Sequence, residues 1–166
     1  KTILQRIEGL EAKLDEFFLP YIVELYALEG SIRAQNNIRR IMHSGKSRAV
    51  AASLLFVRDF HLMELFDDVQ SFSPINEEET EALAYALQCI HSTQATARLQ
   101  ELIKSPSLPT AIQAYISLSD RQEAVSNELA DKLLQNRSPF LFSFLHKTAI
   151  STAQMEKLWQ NTELTY

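Results

Sequence analysis

The chain has 166 residues, which suits one domain or two small ones burying about two thirds of the unfolded surface. Its 46% hydrophobic and 22% charged content excludes a disordered chain, and three glycines and five prolines are too few for the many turns of a β-sandwich or barrel. A net charge of −5 argues against a general nucleic-acid binder.

The single Cys89 excludes an internal disulfide and suits a reducing, cytoplasmic setting. No apolar run approaches the roughly eighteen residues of a membrane span, and no secretory signal is visible. The sequence opens at Lys1 without Met and already in heptad phase, which suggests a piece of a longer chain.

The first segment, TILQRIEGLEAKLDEFF, sets Ile3, Ile7, Leu10, Leu14 and Phe17 at spacings of 4, 3, 4 and 3. That is an a/d stripe, too short to demand a coiled coil and read here as a bundle helix. Pro20 interrupts the chain and fits the first turn of a second helix, which carries Leu25, Leu28, Ile32 and Ile38 towards Gly45. Gly45-Lys46-Ser47 has the last three letters of a phosphate-binding loop, G-x-x-x-x-G-K-[ST]. The first glycine of that loop is replaced by Arg40, and the residues before it have helical periodicity instead of forming a buried strand. The segment therefore reads as a helix–helix turn, with Gly45 in the left-handed conformation and Ser47 capping the next helix. A third helix over about 47 to 70 is apolar nearly all round at VAASLLFV, as suits an enclosed helix. In SFSPINEEET, Pro74 breaks that helix, Asn76 caps the following one, and three glutamates complement its positive end.

From residue 76 an internal repeat is visible. ALAYALQCIHSTQATARLQELIK from Ala82, AIQAYISLSDRQEAVSNELADKLL from Ala111 and FLFSFLHKTAISTAQMEKLW from Phe140 start 29 residues apart. Leu83, Ile112 and Leu141 coincide, as do Leu87, Ile116 and Leu145, and Ala95, Ala124 and Ala153. Each unit reads as helix, short turn, helix, with Asp120 and Glu123 forming a capping box in the second. Such two-helix units resemble the short HEAT-like repeats over about residues 76–162. The resemblance implies a short right-handed α-solenoid that binds other proteins along an extended surface. The expected fold is all-α: a three-helix bundle segment over 1–73, then three HEAT-like helix-turn-helix repeats over 74–166.

No catalytic constellation is evident. His61, Glu64 and Asp68 have helical spacing that could bring metal ligands together, but no second such pair exists and a solvated acidic face explains them. His43, His91 and His146 stand near helix ends, where a donor suits exposed carbonyls. Cys89 reads as a small buried thiol, and no cofactor motif is present. Charge says more. Between Glu29 and Asp59 there is no acid, while Arg33, Arg39, Arg40, Lys46, Arg48 and Arg58 are basic. From Asp59 to Ala97 the bias reverses, with eight acids and no Lys or Arg. These two faces either neutralise one another or leave Arg33, Arg39, Arg40, Lys46 and Arg48 as a basic elbow for an acidic partner. The expected function is non-catalytic protein–protein interaction, with self-association allowed. A nucleic-acid-binding module using the elbow 33–48 is the alternative.

Overall fold

A computed structural model describes residues 2–123, and these are all-α: eight α-helices joined by turns, three of them 3-10, with no strand. Among the described residues no helix is long and apolar enough to cross a membrane. The repeat unit from Phe140, the second helix of the unit from Ala111, and His146 lie outside the described residues.

Local chemistry accounts for most helix ends. α1 (Ile3–Glu11) opens with a reciprocal capping box between Thr2 and Gln5. It is shorter than the heptad stripe predicts. The chain leaves the helix at Ala12, Asp15 caps a 3-10 turn at Glu16–Phe18, and only Ile7 of the five stripe residues is buried. A short helix packed mainly on one neighbour buries one row, here Leu4 and Ile7. α2 (Leu19–Glu29) takes Pro20 in its first turn and stops at Gly30, whose φ of 73° is costly for a residue with a Cβ. α3 (Ile32–Met42) follows at once because the Ser31 hydroxyl accepts from the Ala34 N–H.

Gly45, at φ 73°, reverses the chain between α3 and α4 (Ser47–Asp59). Ser47 is the first residue of α4, with Lys46 at the cap position, so its hydroxyl is free for a tertiary bond and accepts from Asn76 Nδ2 at 2.7 Å. α4 ends eleven residues before the predicted limit of 70. His61 adopts φ 51°, its N–H donates to Arg58 O, and the Leu62 N–H donates to Val57 O. This is a Schellman-type stop made without glycine, so no sequence signal marked it. A 3-10 turn at Met63–Leu65 then leads into α5 (Phe66–Ser71). Residues up to 73 thus hold five α-helices, not three.

α6 (Glu77–Ala86) is capped by Asn76, which accepts from the Glu79 N–H at 2.9 Å. The Glu79 carboxylate, 1% exposed, accepts in return from the Ile75 N–H and from Asn76 Nδ2. α7 (Thr93–Leu102) is capped by Ser92, and α8 (Leu108–Asp120) takes Pro109 in its first turn. Asp120 is the last residue of α8, not a cap, and Gln122 (φ 58°) turns the chain after it.

The even-numbered helices form a row: α2 packs on α4, α4 on α6 in the most extensive contact of the fold, and α6 on α8. Their first residues, Leu19, Ser47, Glu77 and Leu108, are 28, 30 and 31 positions apart. α1 lies against α2, α3 against both α2 and α4, and α7 against α8, whereas α6 and α7 hardly touch. Buried Ala49, Ser53, Ala82, Ala84, Ala86 and Ala114 keep the row tight, and Ile22, Val50, Leu54, Leu83, Leu87 and Leu118 fill it. Each of those large side chains contributes about 1.5–3 kcal/mol through burial.

Asn76 serves a helix cap, a buried carboxylate and the bond to Ser47 together. Asn76→Ala should lower unfolding stability by about 1–2 kcal/mol in urea titrations with an unchanged slope, and Ser47→Ala by less. Equal effects would mean that the cap contributes nothing.

Candidate functional site

The elbow residues divide between α3 and the start of α4, and most of their charge is already engaged. Arg33 donates from Nε and Nη2 to both oxygens of Glu8, at 3.0 and 2.9 Å. Arg40 pairs with Glu11, so two arginines of α3 grip α1. Arg39 reaches the other way: Nε donates to Asp68 Oδ2 at 2.8 Å and Nη2 to the Glu64 carbonyl at 2.8 Å. Lys46 Nζ stands 3.3 Å from Glu16, and both side chains are well exposed. Arg48 has no acidic partner among the described residues; its guanidinium lies 5.8 Å from the centre of the Phe17 ring. The sixth cation, Arg58, pairs with Asp59 at 3.0 Å and stacks over Tyr85.

The acidic stretch 59–97 therefore engages Arg39 and Arg58, while Arg33, Arg40 and Lys46 use acids from the first sixteen residues. Glu11 is the most demanding of these acceptors. It receives Arg40 and also the Tyr26 hydroxyl at 2.7 Å, and Tyr26 is completely buried. Burial, then the bond to Glu11 and its charge, push the Tyr26 phenol far above its ordinary value of 10.0.

The Gly45-Lys46-Ser47 turn follows a helix and has no strand before it. The cleft beside it, about 310 Å³, is lined by Lys46 and Arg48 but also by Asp15 and Glu16. Those two carboxylates oppose a polyphosphate, and the Lys46 ammonium is held by one of them.

His61, Glu64 and Asp68 are not brought together as ligands. His61 sits at the α4 stop with Nδ1 3.0 Å from the Arg58 carbonyl, and Asp68 is bound to Arg39. Among the described residues no cluster of three His, Cys, Asp or Glu side chains could hold a metal. The half-buried Cys89 thiol donates to the Ala86 carbonyl at 3.3 Å, and burial raises its pKa, which favours the unreactive thiol.

Two features escaped the sequence reading. Arg121, with a side chain only 2% exposed, donates to Thr96 Oγ1 at 2.7 Å and faces the Leu87 and Ser92 carbonyls. It stands just past α8, 3.7 Å from Glu123, but its hydrogen-bond partners are 25 to 34 positions away, so no local pattern marks its burial. The second is an apolar surface. Nine of the twelve exposed large hydrophobic side chains among the described residues fall between Ile3 and Ile32, on and around α1 and α2. Phe17, Phe18 and Tyr21 form an aromatic run, with successive ring centres 5.4 and 6.4 Å apart, beside Arg48. The heptad stripe was the available signal for this surface, but it pointed inwards on the assumption that an apolar stripe is buried.

No protein-family model, curated protein or solved structure matches this chain.

The two kinds of arginine should behave differently. Arg39→Ala should cost about 1–2 kcal/mol in chemical denaturation, because a charge-assisted pair and a carbonyl lose their donor. Arg48→Ala should stay within about 0.5 kcal/mol. Arg48→Ala matching Arg39→Ala would assign Arg48 a structural role.

Tyr26 supplies a pH test. The folded state holds the phenolic proton more tightly than the unfolded state, so this contribution is complete below pH 10 and declines as pH rises above it. Tyr26→Phe should cost about 1 kcal/mol at pH 7, and its difference from the parent should narrow above pH 10. A gap that stays constant up to pH 11.5 would show that the phenol is not held by Glu11.

Proposed function

We propose that this chain is a non-catalytic protein–protein interaction module, a scaffold, adaptor or regulatory subunit, built as a short right-handed HEAT-like α-solenoid. The observation that carries the functional reading is the concentration of exposed apolar and aromatic side chains on α1, α2 and the segment between them. A large exposed apolar patch on a helical stack is the surface on which another protein excludes water. The near-constant spacing along the row α2, α4, α6 and α8 supports the solenoid reading and carries the period back into the first 75 residues. Side-chain bonds between successive helix pairs support it too. Glu8–Arg33, Glu11–Arg40, Arg39–Asp68, Ser47–Asn76 and Thr96–Arg121 all join positions 25 to 29 apart.

Within the elbow, Lys46 and Arg48 flank the aromatic run and extend the apolar surface with positive charge suited to an acidic rim. Arg33, Arg39 and Arg40 contribute to the partner mainly by holding α1, α3 and α5 in place. The nucleic-acid alternative draws less support, since a phosphate would have to displace carboxylates from four of the five elbow cations.

A photo-crosslinking residue in place of Leu25, on the exposed side of α2, should give a discrete protein adduct when the full chain is irradiated in its native cells. The same residue in place of Gln94, exposed on α7, should give none. A nucleic-acid adduct at Leu25, or equal labelling at both positions, would overturn the reading.

A further inference from the structure

The outer faces of α1 and α2 carry two stripes of the same design. On α1, Ile3, Arg6 and Leu10 are spaced by three and four, and all three are exposed. On α2, Tyr21, Glu24 and Leu28 have the same spacing and are likewise exposed. Each stripe places one charge between two large apolar side chains, and the charges are opposite. Ile3, Tyr21 and Leu28 are 60 to 70% exposed, which leaves this apolar surface in water in the single chain. The Arg6 and Glu24 side chains have no ion-pair or hydrogen-bond partner among the described residues, although Glu8, Glu11, Arg33 and Arg40 close by are all paired.

We propose that this face binds a second copy of itself, forming a two-fold dimer through α1 and α2. The proposal rests on the reading of the α1–α2 surface as an interaction face and names its occupant. Consecutive packed helices with a short link run antiparallel. A two-fold axis lying in the interface, along the groove between α1 and α2, sets α1 of one copy over α2 of the other. In that arrangement Ile3 meets Leu28 of the second copy, Arg6 meets Glu24, and Leu10 meets Tyr21. The symmetry repeats each contact, so two ion pairs lie within a closed apolar patch. Any other partner would have to present its own acid over Arg6 and its own base over Glu24. A second copy supplies both at the required separation.

Sedimentation velocity on the full chain, from about 1 to 100 µM, tests the proposal. The parent should pass from monomer to dimer with rising concentration. Arg6→Glu and Glu24→Arg, each of which puts like charges opposite one another twice, should each weaken dimerisation by about tenfold or more. Combining the two restores complementary charge with reversed sign and should bring the dimer back to within about threefold of the parent. Circular dichroism melts of both single variants, taken at a concentration where the parent is monomeric, should match the parent, since neither side chain has a partner among the described residues.

A parent that is monomeric throughout, single variants that dimerise as the parent does, or a double variant without recovery would each overturn the proposal. Loss of helicity in a single variant would overturn it as well, by showing that the charge supports the fold. The two readings fail separately. A monomer whose Leu25 cross-linker captures a different protein sinks the dimer and leaves the interaction module standing. A monomer with no adduct sinks both.

Discussion

The architecture depends on covering α4. Its sequence, SRAVAASLLFVRD, is apolar on most sides, and Ala49, Val50, Ala51, Ser53, Leu54 and Val57 are all buried. One neighbouring helix cannot cover that many directions, so α4 is stable only when surrounded. α2, α3 and α6 all pack on it, and each in turn presents a surface for the next element. Small residues let the helices approach closely, which strengthens dispersion contacts and makes the row sensitive to added volume. Burial of one helix therefore propagates into a stack.

Apolar burial alone would tolerate sliding between helices. The polar bonds between pairs supply the register. They are individually modest because most are partly exposed and screened. Their value lies in direction: Arg39 grips both a carboxylate and a main-chain carbonyl, and Arg98 reaches the Gln70 carbonyl at 2.6 Å. Arg121 is buried among such acceptors, and the Ser117 hydroxyl donates to the Ala84 carbonyl at 2.9 Å. A helix displaced by one turn would leave these donors unmatched in a region of reduced dielectric, which costs more than the bonds contribute when made.

The same arrangement explains where apolar surface stays in water. Within the row α4 lies between α2 and α6, and α6 between α4 and α8, whereas among the described residues α2 packs on α1, α3 and α4. Its outer side keeps Tyr21, Leu25 and Leu28 in water, and the flank of α1 keeps Ile3 and Leu10 there. The aromatic run Phe17, Phe18 and Tyr21 joins this surface to the elbow, so apolar contact and positive charge meet at one corner.

The sequence by itself determined the helical class, the turn at Gly45 and the Asn76 cap, because those depend on neighbours in the chain. The stop at Gly30 and the Ser31 and Ser92 caps are equally local, although spacing alone runs one helix from Pro20 towards Gly45. Ser31, Asn76 and Ser92 each bond a backbone N–H three residues on, and Gly30 and Gly45 are the residues that take φ 73° most easily. Tertiary structure decided what depends on residues some 25 or more positions away. His61 ends α4 in a conformation that its residue type does not advertise, stabilised by the burial of Leu62 beside it. The partners of Arg33, Arg39 and Arg40 could not be read from a charge plot, since opposite charges can pair only where packing has already placed them. Periodicity also gives an apolar stripe without its direction. Ile3, Leu10, Leu14 and Phe17 look like core by spacing, yet α1 packs mainly against α2 and buries Leu4 and Ile7 in their place. Which side of a helix is inside is a property of its neighbours, and only the folded chain supplies them.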